Sequence, residues 1–281
     1  MNGVCRALEV SRSNLHAQLK AENQEMPKKM EKEKAPKLLS LIREITDERP
    51  TYGYRRVTAL LKKKSQETIN HKRVYRIMRQ AGLLLRKPVH RPVKTHDGKV
   101  MTLKSNLRWC SDAFTIQCWD GDQVQVTFSQ DCHDREIITW LASSKGVDRL
   151  MIQDLMAESV EKRFGKVLRV PHRLQWLSDN GSPYVARDTV AFGRSLGLTI
   201  CTTAPRSPES NGMAEAFVKT FKRDYVTFGN LESAQAVLEQ LPEWFEDYNE
   251  KAPHKGLKML SPRQYLLQIK AAWVYGKNGS K

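Results

Sequence analysis

The chain has 281 residues, of which 40% are hydrophobic and 28% charged, and its formal net charge is +16 at pH 7. This length predicts two or three compact units, and the composition is typical of a soluble globular protein. No run of about 18 apolar residues suggests a membrane span, and the first residues lack the apolar stretch of a secretory signal. We therefore expect no membrane partner and a cytoplasmic, nucleoid-associated location. The five cysteines form no C-x-x-C pair, which argues against a disulfide framework or a zinc knuckle.

The positive charge lies almost entirely in the first third of the chain. Residues 1–105 hold 25 Lys and Arg against 10 Asp and Glu, a net charge of +15, whereas residues 106–281 carry a net charge of +1. A basic segment attracts phosphate backbones by releasing condensed counterions, so nucleic acid is the favoured partner. A solubilising tail would lack the helical periodicity that parts of this segment show.

Residues 1–35 form the first predicted segment. Residues 4–19 have the pattern of two short helices with a turn near Ser11, which is a helix-turn-helix outline. Residues 20–36 are rich in Lys and Glu and end at Pro36, which suggests either a solvated linker or a helix extension.

A second helical domain is predicted over residues 36–85. Its last helix, starting near Asn70, has Val74, Ile77, Met78 and Ala81 on one face. Its opposite face is basic and suits DNA phosphates, although a merely solvated face stays open as an alternative: Lys72, Arg73, Arg76 and Arg79. Residues 86–105 contain two prolines and several basic residues, and they predict an extended tether between domains.

The pattern changes to strands from residue 106 onward. Strands are predicted at 109–116, 124–128, 137–142, 174–178 and 198–202, with helices near 147–164, 185–196 and 211–225. Three strands in a meander followed by alternating helices and strands predict an α/β fold with a mixed five-stranded sheet and helices on both faces. This core spans residues 106–229, and residues 230–281 predict a C-terminal helical extension.

Three carboxylates occupy unusual positions in this predicted core. Asp112 falls within the first strand, Asp179 follows the fourth strand directly, and Glu215 lies near the start of the last core helix. A carboxylate at such a place is costly unless it is paired or binds a metal, and hard divalent cations prefer oxygen ligands. Two ions about 3.5 to 4 Å apart can stabilise both the attacking and the leaving oxygen of a phosphodiester displacement.

The helix of Glu215 has an apolar stripe with Glu215, Lys219 and Lys222 together at its edge. Glu215 can therefore face the sheet while the two lysines reach outward. Taken alone, this pattern favours an exposed glutamate paired with Lys219, a contact worth tenths of a kcal/mol.

The ordered set of motifs resembles the retroviral-integrase superfamily, and most closely the second-reading-frame transposases of the insertion-sequence three family. Thirty-five residues lie between Asp179 and Glu215. The matching pieces are Trp109-Cys110-Ser111-Asp112, Ser178-Asp179-Asn180-Gly181-Ser182 with Tyr184, and the segment from Ser207 to Glu215. Others are Tyr52-Gly53-Tyr54-Arg55-Arg56 and Asn70 to Arg76 upstream, and Lys222, Tyr248-Asn249, Pro253-His254 and Ser261-Pro262 downstream. Ser178 stands where the family usually has Thr.

The resemblance implies a ribonuclease-H-like catalytic core preceded by all-α helix-turn-helix segments. It implies that Asp112, Asp179 and Glu215 are the catalytic acids and bind two Mg²⁺ ions per active site, with Mn²⁺ as an alternative. The implied reaction cleaves element ends and joins the freed 3′ hydroxyls to target DNA. Lys219 and Lys222 would hold phosphates near the acids, and Arg55 and Arg56 would bind DNA with the basic helix face.

Partners are implied by the same resemblance. They are double-stranded DNA, as transposon ends and as target, and further copies of the chain on that DNA. A first-frame protein, as a partner or a fused segment, is left open.

Three other functions fit parts of the sequence. A non-catalytic DNA-binding protein would need only residues 1–105, although the retained acids count against it. A structure-selective nuclease would cut without joining strands. A ribonuclease acting on RNA in hybrids is the weakest of the three.

Overall fold

A computed structural model describes residues 28–65, 68–86, 102–203 and 211–278. The predicted helices of residues 4–19, most of the tether and the motif residues 207–210 lie outside the described residues. The chain divides into two compact units, residues 1–85 and 86–281. The finer division into five segments stays a prediction.

The first unit contains three described helices around one apolar core. They are α1 (Lys28–Glu48), α2 (Tyr54–Ser65) and α3 (His71–Gln80). The spacing of Leu38, Leu41, Ile42 and Ile45 predicts one apolar stripe on α1; Leu38, Ile42 and Ile45 are buried against α2 and α3, and Leu41 is partly buried. Helix α1 runs through Pro36, so residues 28–36 are a helix extension rather than a linker.

Helix α3 has the two faces that its sequence predicts. Val74 and Met78 are fully buried, whereas Lys72, Arg76 and Arg79 are exposed. The side chain of Asn70 caps the helix by accepting a hydrogen bond from the Lys72 amide at 2.9 Å, which satisfies one of the free amides of the first turn. The helix ends before Gly82, whose φ of 70° is a conformation that glycine adopts readily.

The second unit is built on one five-stranded sheet. The strands are β1 (Arg108–Gln117), β2 (Gln123–Asp131), β3 (Ile137–Ser143), β4 (Leu174–Ser178) and β5 (Leu198–Thr202). Their order across the sheet is β3-β2-β1-β4-β5, with the first three antiparallel and β4 and β5 parallel to β1. The predicted mixed sheet is confirmed, and this order is the ribonuclease-H-like arrangement.

Helices cover both faces of the sheet. Helices α4 (Arg149–Phe164), α5 (Ser182–Val185) and α6 (Arg187–Ser195) contribute to a core around Trp109 and Trp176. Helices α7 (Gly212–Asp224) and α8 (Ala234–Glu250) contribute to a core on the other face around Phe128 and Phe221. The sheet therefore separates two apolar layers, and each β1 side chain faces one of them.

The structure changes the bounds of one predicted helix and shows how the last described helix is held. The single helix expected over 185–196 is interrupted at Ala186, whose ψ of 136° is extended. The last described helix, α9 (Pro262–Asn278), is anchored by Arg263, which contacts Glu136, Glu246 and Glu250 at 2.7 to 2.9 Å. Within the described ranges, no helix is both long enough and apolar enough to cross a membrane.

Candidate active site

The register of β1 and β4 brings two of the predicted acids to neighbouring positions. The two parallel strands pair from Arg108–Gln175 to Cys110–Leu177. Asp112 and Asp179 each lie two residues past this last pair, Asp112 still within β1 and Asp179 directly after the end of β4 at Ser178. Side chains alternate between the faces of a strand, so Asp112 shares the face of Cys110, which packs in the core that contains α7.

Glu215 reaches the same region from helix α7. The helix packs on β1 through Phe217 and Phe221, and Phe221 lies 5.7 Å from Phe114 between ring centroids. Glu215 lies in its first turn and is exposed. The helix thus places Glu215 at the edge of the sheet face that carries Asp112.

The three acids share one electrostatic environment. Burial, together with the negative charges of Asp179 and Glu215, raises the pKa of Asp112 to about 6, and the hydrogen bond from the Ala113 amide opposes the shift. That amide lies 2.8 Å from Oδ1 of Asp112. A nearby negative charge disfavours ionisation of a carboxyl group. Since the charges of Asp179 and Glu215 both contribute to the raised pKa of Asp112, the two acids lie close enough to act on its carboxyl group.

The donor chemistry suits a divalent cation, but the ligand set is not closed. Carboxylate oxygens are the ligands that Mg²⁺ and Mn²⁺ accept, and a cation would relieve the repulsion at Asp112. In the part of the chain that the structure describes, no three His, Cys, Asp or Glu side chains lie in a metal-holding group. Glu215 forms no ion pair with Lys219 or any other described residue, so its side chain is free to turn towards the other two acids.

The two lysines predicted to bind phosphate are exposed on α7. The Nζ atom of Lys222 lies 5.7 Å from the ring centroid of Phe114. Phe114 is two residues after Asp112 and on the same face of β1, so Lys222 is positioned at the rim of the acid cluster. The expected phosphate contact of Lys219 and Lys222 stays a prediction.

The predicted DNA-binding residues of the first unit differ in their surroundings. Arg55 is exposed, whereas the guanidinium of Arg56 lies over the Tyr52 ring, 3.6 Å from its centroid. Lys72, Arg76 and Arg79 are exposed and Arg73 is half-buried. DNA contact by these residues stays a prediction.

Three other titratable residues make contacts within the fold: Asp131, His133 and His254. Oδ1 of Asp131 accepts hydrogen bonds from the amides of His133 and Asp134 at 2.7 and 3.2 Å, which places it in the turn after β2. The ring of His133 contacts the Thr102 carbonyl at 2.8 Å. His254, left without a role by its sequence, packs edge-on against Tyr248 at 4.7 Å between centroids.

Ser111, Tyr184 and Asn211 connect the segments that carry the three acids. Sequence analysis assigned none of them an individual role. The Ser111 hydroxyl lies 3.0 Å from the Tyr184 hydroxyl, and the Ser111 carbonyl accepts a hydrogen bond from Nδ2 of Asn211 at 3.1 Å. All three lie in the quoted motifs, but only the tertiary structure shows that they meet.

Family comparisons agree with this fold. Residues 33–91 match the HTH-like domain, and residues 103–208 and 196–262 match integrase core domains. The chain is therefore a helix-turn-helix protein with an integrase-type core, the class that also contains transposases.

Its relatives define the family more narrowly. The chain is 46% identical over 272 residues to the transposase InsD of insertion element IS2A/D/F/H/I/K from Escherichia coli, covering 94% of this chain and 90% of the relative. The InsD transposase of element IS2-9 from strain K12 is also 46% identical, with 88% of the relative covered. The chain belongs to the insertion-sequence three family of transposases.

Solved structures give weaker likenesses. The catalytic domain of the Mos1 mariner transposase is 16% identical, with a TM-score of 0.43, covering 50% of this chain and 70% of that one. The catalytic core domain of the HTLV-2 integrase is 12% identical, with a TM-score of 0.45, covering 58% of this chain and 97% of that one.

Proposed function

We propose that this transposase cleaves the ends of its element and joins their 3′ hydroxyls to target DNA, with Asp112, Asp179 and Glu215 as the catalytic acids. The observation that carries the proposal is that Asp112 and Asp179 each lie two residues past Cys110–Leu177, the last residue pair between β1 and β4. The raised pKa of Asp112, to which both other acids contribute, supports a shared site.

The three acids provide oxygen ligands for two Mg²⁺ or Mn²⁺ ions. In this assignment Asp112, Asp179 and Glu215 would together hold the ions. Bound divalent ions would supply charge stabilisation for the attacking and leaving oxygens of the phosphodiester. No covalent protein intermediate is required.

The protein supplies a partly preorganised site. Oδ1 of Asp179 accepts a hydrogen bond from the Gly181 amide at 3.0 Å. This contact with its own loop fixes the orientation of the Asp179 carboxylate. Oδ1 of Asp112 is similarly held by the Ala113 amide. Glu215 is exposed and completes the set by side-chain rotation once DNA and ions are bound.

DNA is held by two basic regions in this proposal. Lys219 and Lys222 bind phosphates beside the acids, and the exposed basic face of α3 binds duplex DNA. Cleavage and joining at both ends of an element need more than one set of acids, so further copies of the chain assemble on the DNA. A first-frame protein as partner or fusion stays a prediction.

The test is a cleavage and strand-transfer assay on the DNA that flanks the gene, with and without Mg²⁺. D112N, D179N and E215Q should each reduce both products by more than about 100-fold, since loss of partners outside the ligand set alone costs 10- to 100-fold. D154N and E243Q are matched controls, because Asp154 and Glu243 are exposed helix acids outside the site.

Each result assigns a function. Wild-type rates in any of the three variants would remove that acid from the catalytic set. Metal-dependent cleavage without a strand-transfer product would instead show a nuclease, and DNA binding without any cleavage would show a non-catalytic binding protein.

A further inference from the structure

We propose that Ser111, Tyr184 and Asn211 are positioning residues that hold the three acid-bearing segments together and thereby determine the affinity for divalent cations. This inference rests on the proposed function of the acids. None of the three side chains needs to touch the ions or DNA, because each acts through the backbone or the loop that carries an acid.

Ser111 lies at the centre of these contacts. It directly precedes Asp112 on β1 and is fully buried. Because neighbouring side chains of a strand point to opposite faces, its hydroxyl faces the Trp109 layer while Asp112 faces the α7 layer. A residue in this place can therefore link structure behind the sheet to the acids in front of it.

Tyr184 links Ser111 to the Asp179 segment. Its ring is buried in the Trp109 layer, five residues after Asp179. Its hydroxyl lies 3.0 Å from the Ser111 hydroxyl and 2.8 Å from the Thr127 hydroxyl of β2. Tyr184 thus connects the loop after β4 to β1, which carries Asp112, and to β2.

The hydrogen bonds among these hydroxyls have one consistent direction. Thr127 donates to the Asp112 carbonyl at 3.2 Å, and a hydroxyl carries only one proton. Tyr184 must then donate to Thr127, and Ser111 must donate to Tyr184. Burial holds the pKa of Tyr184 well above its ordinary value, so the phenol keeps the proton that this chain needs. This series of hydrogen bonds ends on the backbone carbonyl of Asp112.

Asn211 links Ser111 to the Glu215 segment. It is buried directly before α7, and its Nδ2 donates to the Ser111 carbonyl at 3.1 Å. Its Oδ1 is buried and has no hydrogen-bond partner among the described residues, so the contact with Ser111 accounts for its observed orientation. The start of α7, and with it Glu215 one turn later, is fixed relative to β1.

The experiment measures Mn²⁺ binding to the full chain by electron paramagnetic resonance, together with the thermal midpoint. S111A, Y184F and N211A should each weaken Mn²⁺ binding by about 10- to 100-fold, the usual effect of losing residues that orient metal ligands. Strand transfer should recover at saturating Mn²⁺, because the acids themselves are intact.

Each variant has a matched control elsewhere in the same unit. S159A removes a buried hydroxyl that contacts Ser129 at 2.6 Å, and Y225F removes a buried phenol that donates to Asp247 at 2.9 Å. N249A removes a buried amide that clamps the Ile137 backbone at 2.9 and 3.0 Å. These controls should lower the thermal midpoint while leaving Mn²⁺ affinity within about twofold of the wild type, since none of the three contacts lies beside an acid: Tyr225 follows the far end of α7 from Glu215.

The outcomes separate the two proposals. If D112N abolishes Mn²⁺ binding but the three variants lose no more affinity than their controls, the positioning proposal alone is wrong. If D112N binds Mn²⁺ like the wild type, the acids are not the metal site and both proposals are wrong. Should S111A or N211A fail to fold, Y184F decides, because it removes one oxygen and keeps the buried ring.

Discussion

The amide nitrogen of Gly181 lies 3.0 Å from Oδ1 of Asp179, so the acid after β4 is oriented by its own loop. An ideal Cβ atom placed on Gly181 would also lie 3.0 Å from that oxygen and 3.5 Å from Cδ2 of Tyr184. Glycine is needed here for space, since its φ of −57° suits any residue.

G181A should therefore displace the Asp179 carboxylate without disturbing the fold. We expect Mn²⁺ affinity to fall by about 10-fold, the lower end of the range for losing a residue that orients a metal ligand. The thermal midpoint should change little. G212A is the matched control, because a Cβ atom at Gly212 meets no atom of the described residues within 4 Å. Equal Mn²⁺ affinities in the two variants would contradict the expectation.

Lys222 should contribute to DNA binding and not to metal binding. Its ammonium group lies above the Phe114 ring at the rim of the acid cluster. K222A should weaken DNA binding and reduce the slope of log affinity against log salt by about one, while Mn²⁺ affinity stays unchanged. K166A is the control. Lys166 is exposed and lies before the start of β4, whereas Asp179 follows the end of that strand. An unchanged salt slope in K222A would remove this lysine from the DNA site.

The exposed basic face of α3 should bind duplex DNA through phosphates. K72A, R76A and R79A should each lower the salt dependence of binding by about 0.9, the value for one lost phosphate contact. Fluorescence anisotropy with labelled duplex at several salt concentrations measures this slope. R43A removes an exposed arginine from α1 and should have no such effect; if all four variants behaved alike, α3 would have no special role.

Arg163 should be essential to the stability of the second unit. Its guanidinium pairs with Asp134 at 3.1 Å and Glu136 at 3.0 Å, and the Asp134 side chain is fully buried. R163M leaves that carboxylate without its partner, which typically costs about 3 to 5 kcal/mol. Urea unfolding followed by tryptophan fluorescence measures the free energy of unfolding of this unit, because all six tryptophans lie in residues 106–281.

R149M is the matched control for R163M. Arg149 pairs with Asp188 at 3.3 Å, and both side chains are more than 60% exposed. Exposed ion pairs contribute about 0 to 1 kcal/mol. A loss of stability in R163M no larger than that in R149M would show that the buried pair is not stabilising.

Asp131 should make the second unit less stable as pH rises. Burial raises the pKa of Asp131 to about 6, the charge of Asp134 adds to the shift, and Arg163 opposes it. Since the folded pKa lies above the unfolded value of 3.8, the stabilising contribution is complete below about pH 4 and is lost by about pH 6.

The comparison with D131N isolates this contribution. The difference in free energy of unfolding between wild type and D131N should shrink between pH 4 and pH 6 and then stay constant. D131N should be less stable throughout, because Oδ2 of Asp131 accepts hydrogen bonds from the Asn106 amide and from Nε1 of Trp109 at 2.7 and 3.2 Å. A difference that does not depend on pH would contradict the raised pKa.

Several elements could be predicted because local patterns determine them. The alternation of Val124, Val126 and Phe128 with polar residues predicts β2, and all three side chains are buried as expected. The two faces of α3 follow from helical periodicity in the same way. The sequence leaves a linker and a helix extension open for residues 20–36, and the structure shows a helix at residues 28–36. The extended backbone at Ala186 has no counterpart in the predicted helix.

The sequence alone determined the succession of strands along the chain and the family, and it singled out the three acids, because these depend on residue types at fixed spacings. Only the tertiary structure decided which residues meet: the register that pairs β1 with β4 up to Cys110–Leu177, and the buried contacts of Ser111 with Tyr184 and Asn211. Contacts between residues 73 and 100 positions apart depend on how strands pair and helices pack. No local pattern contains that information.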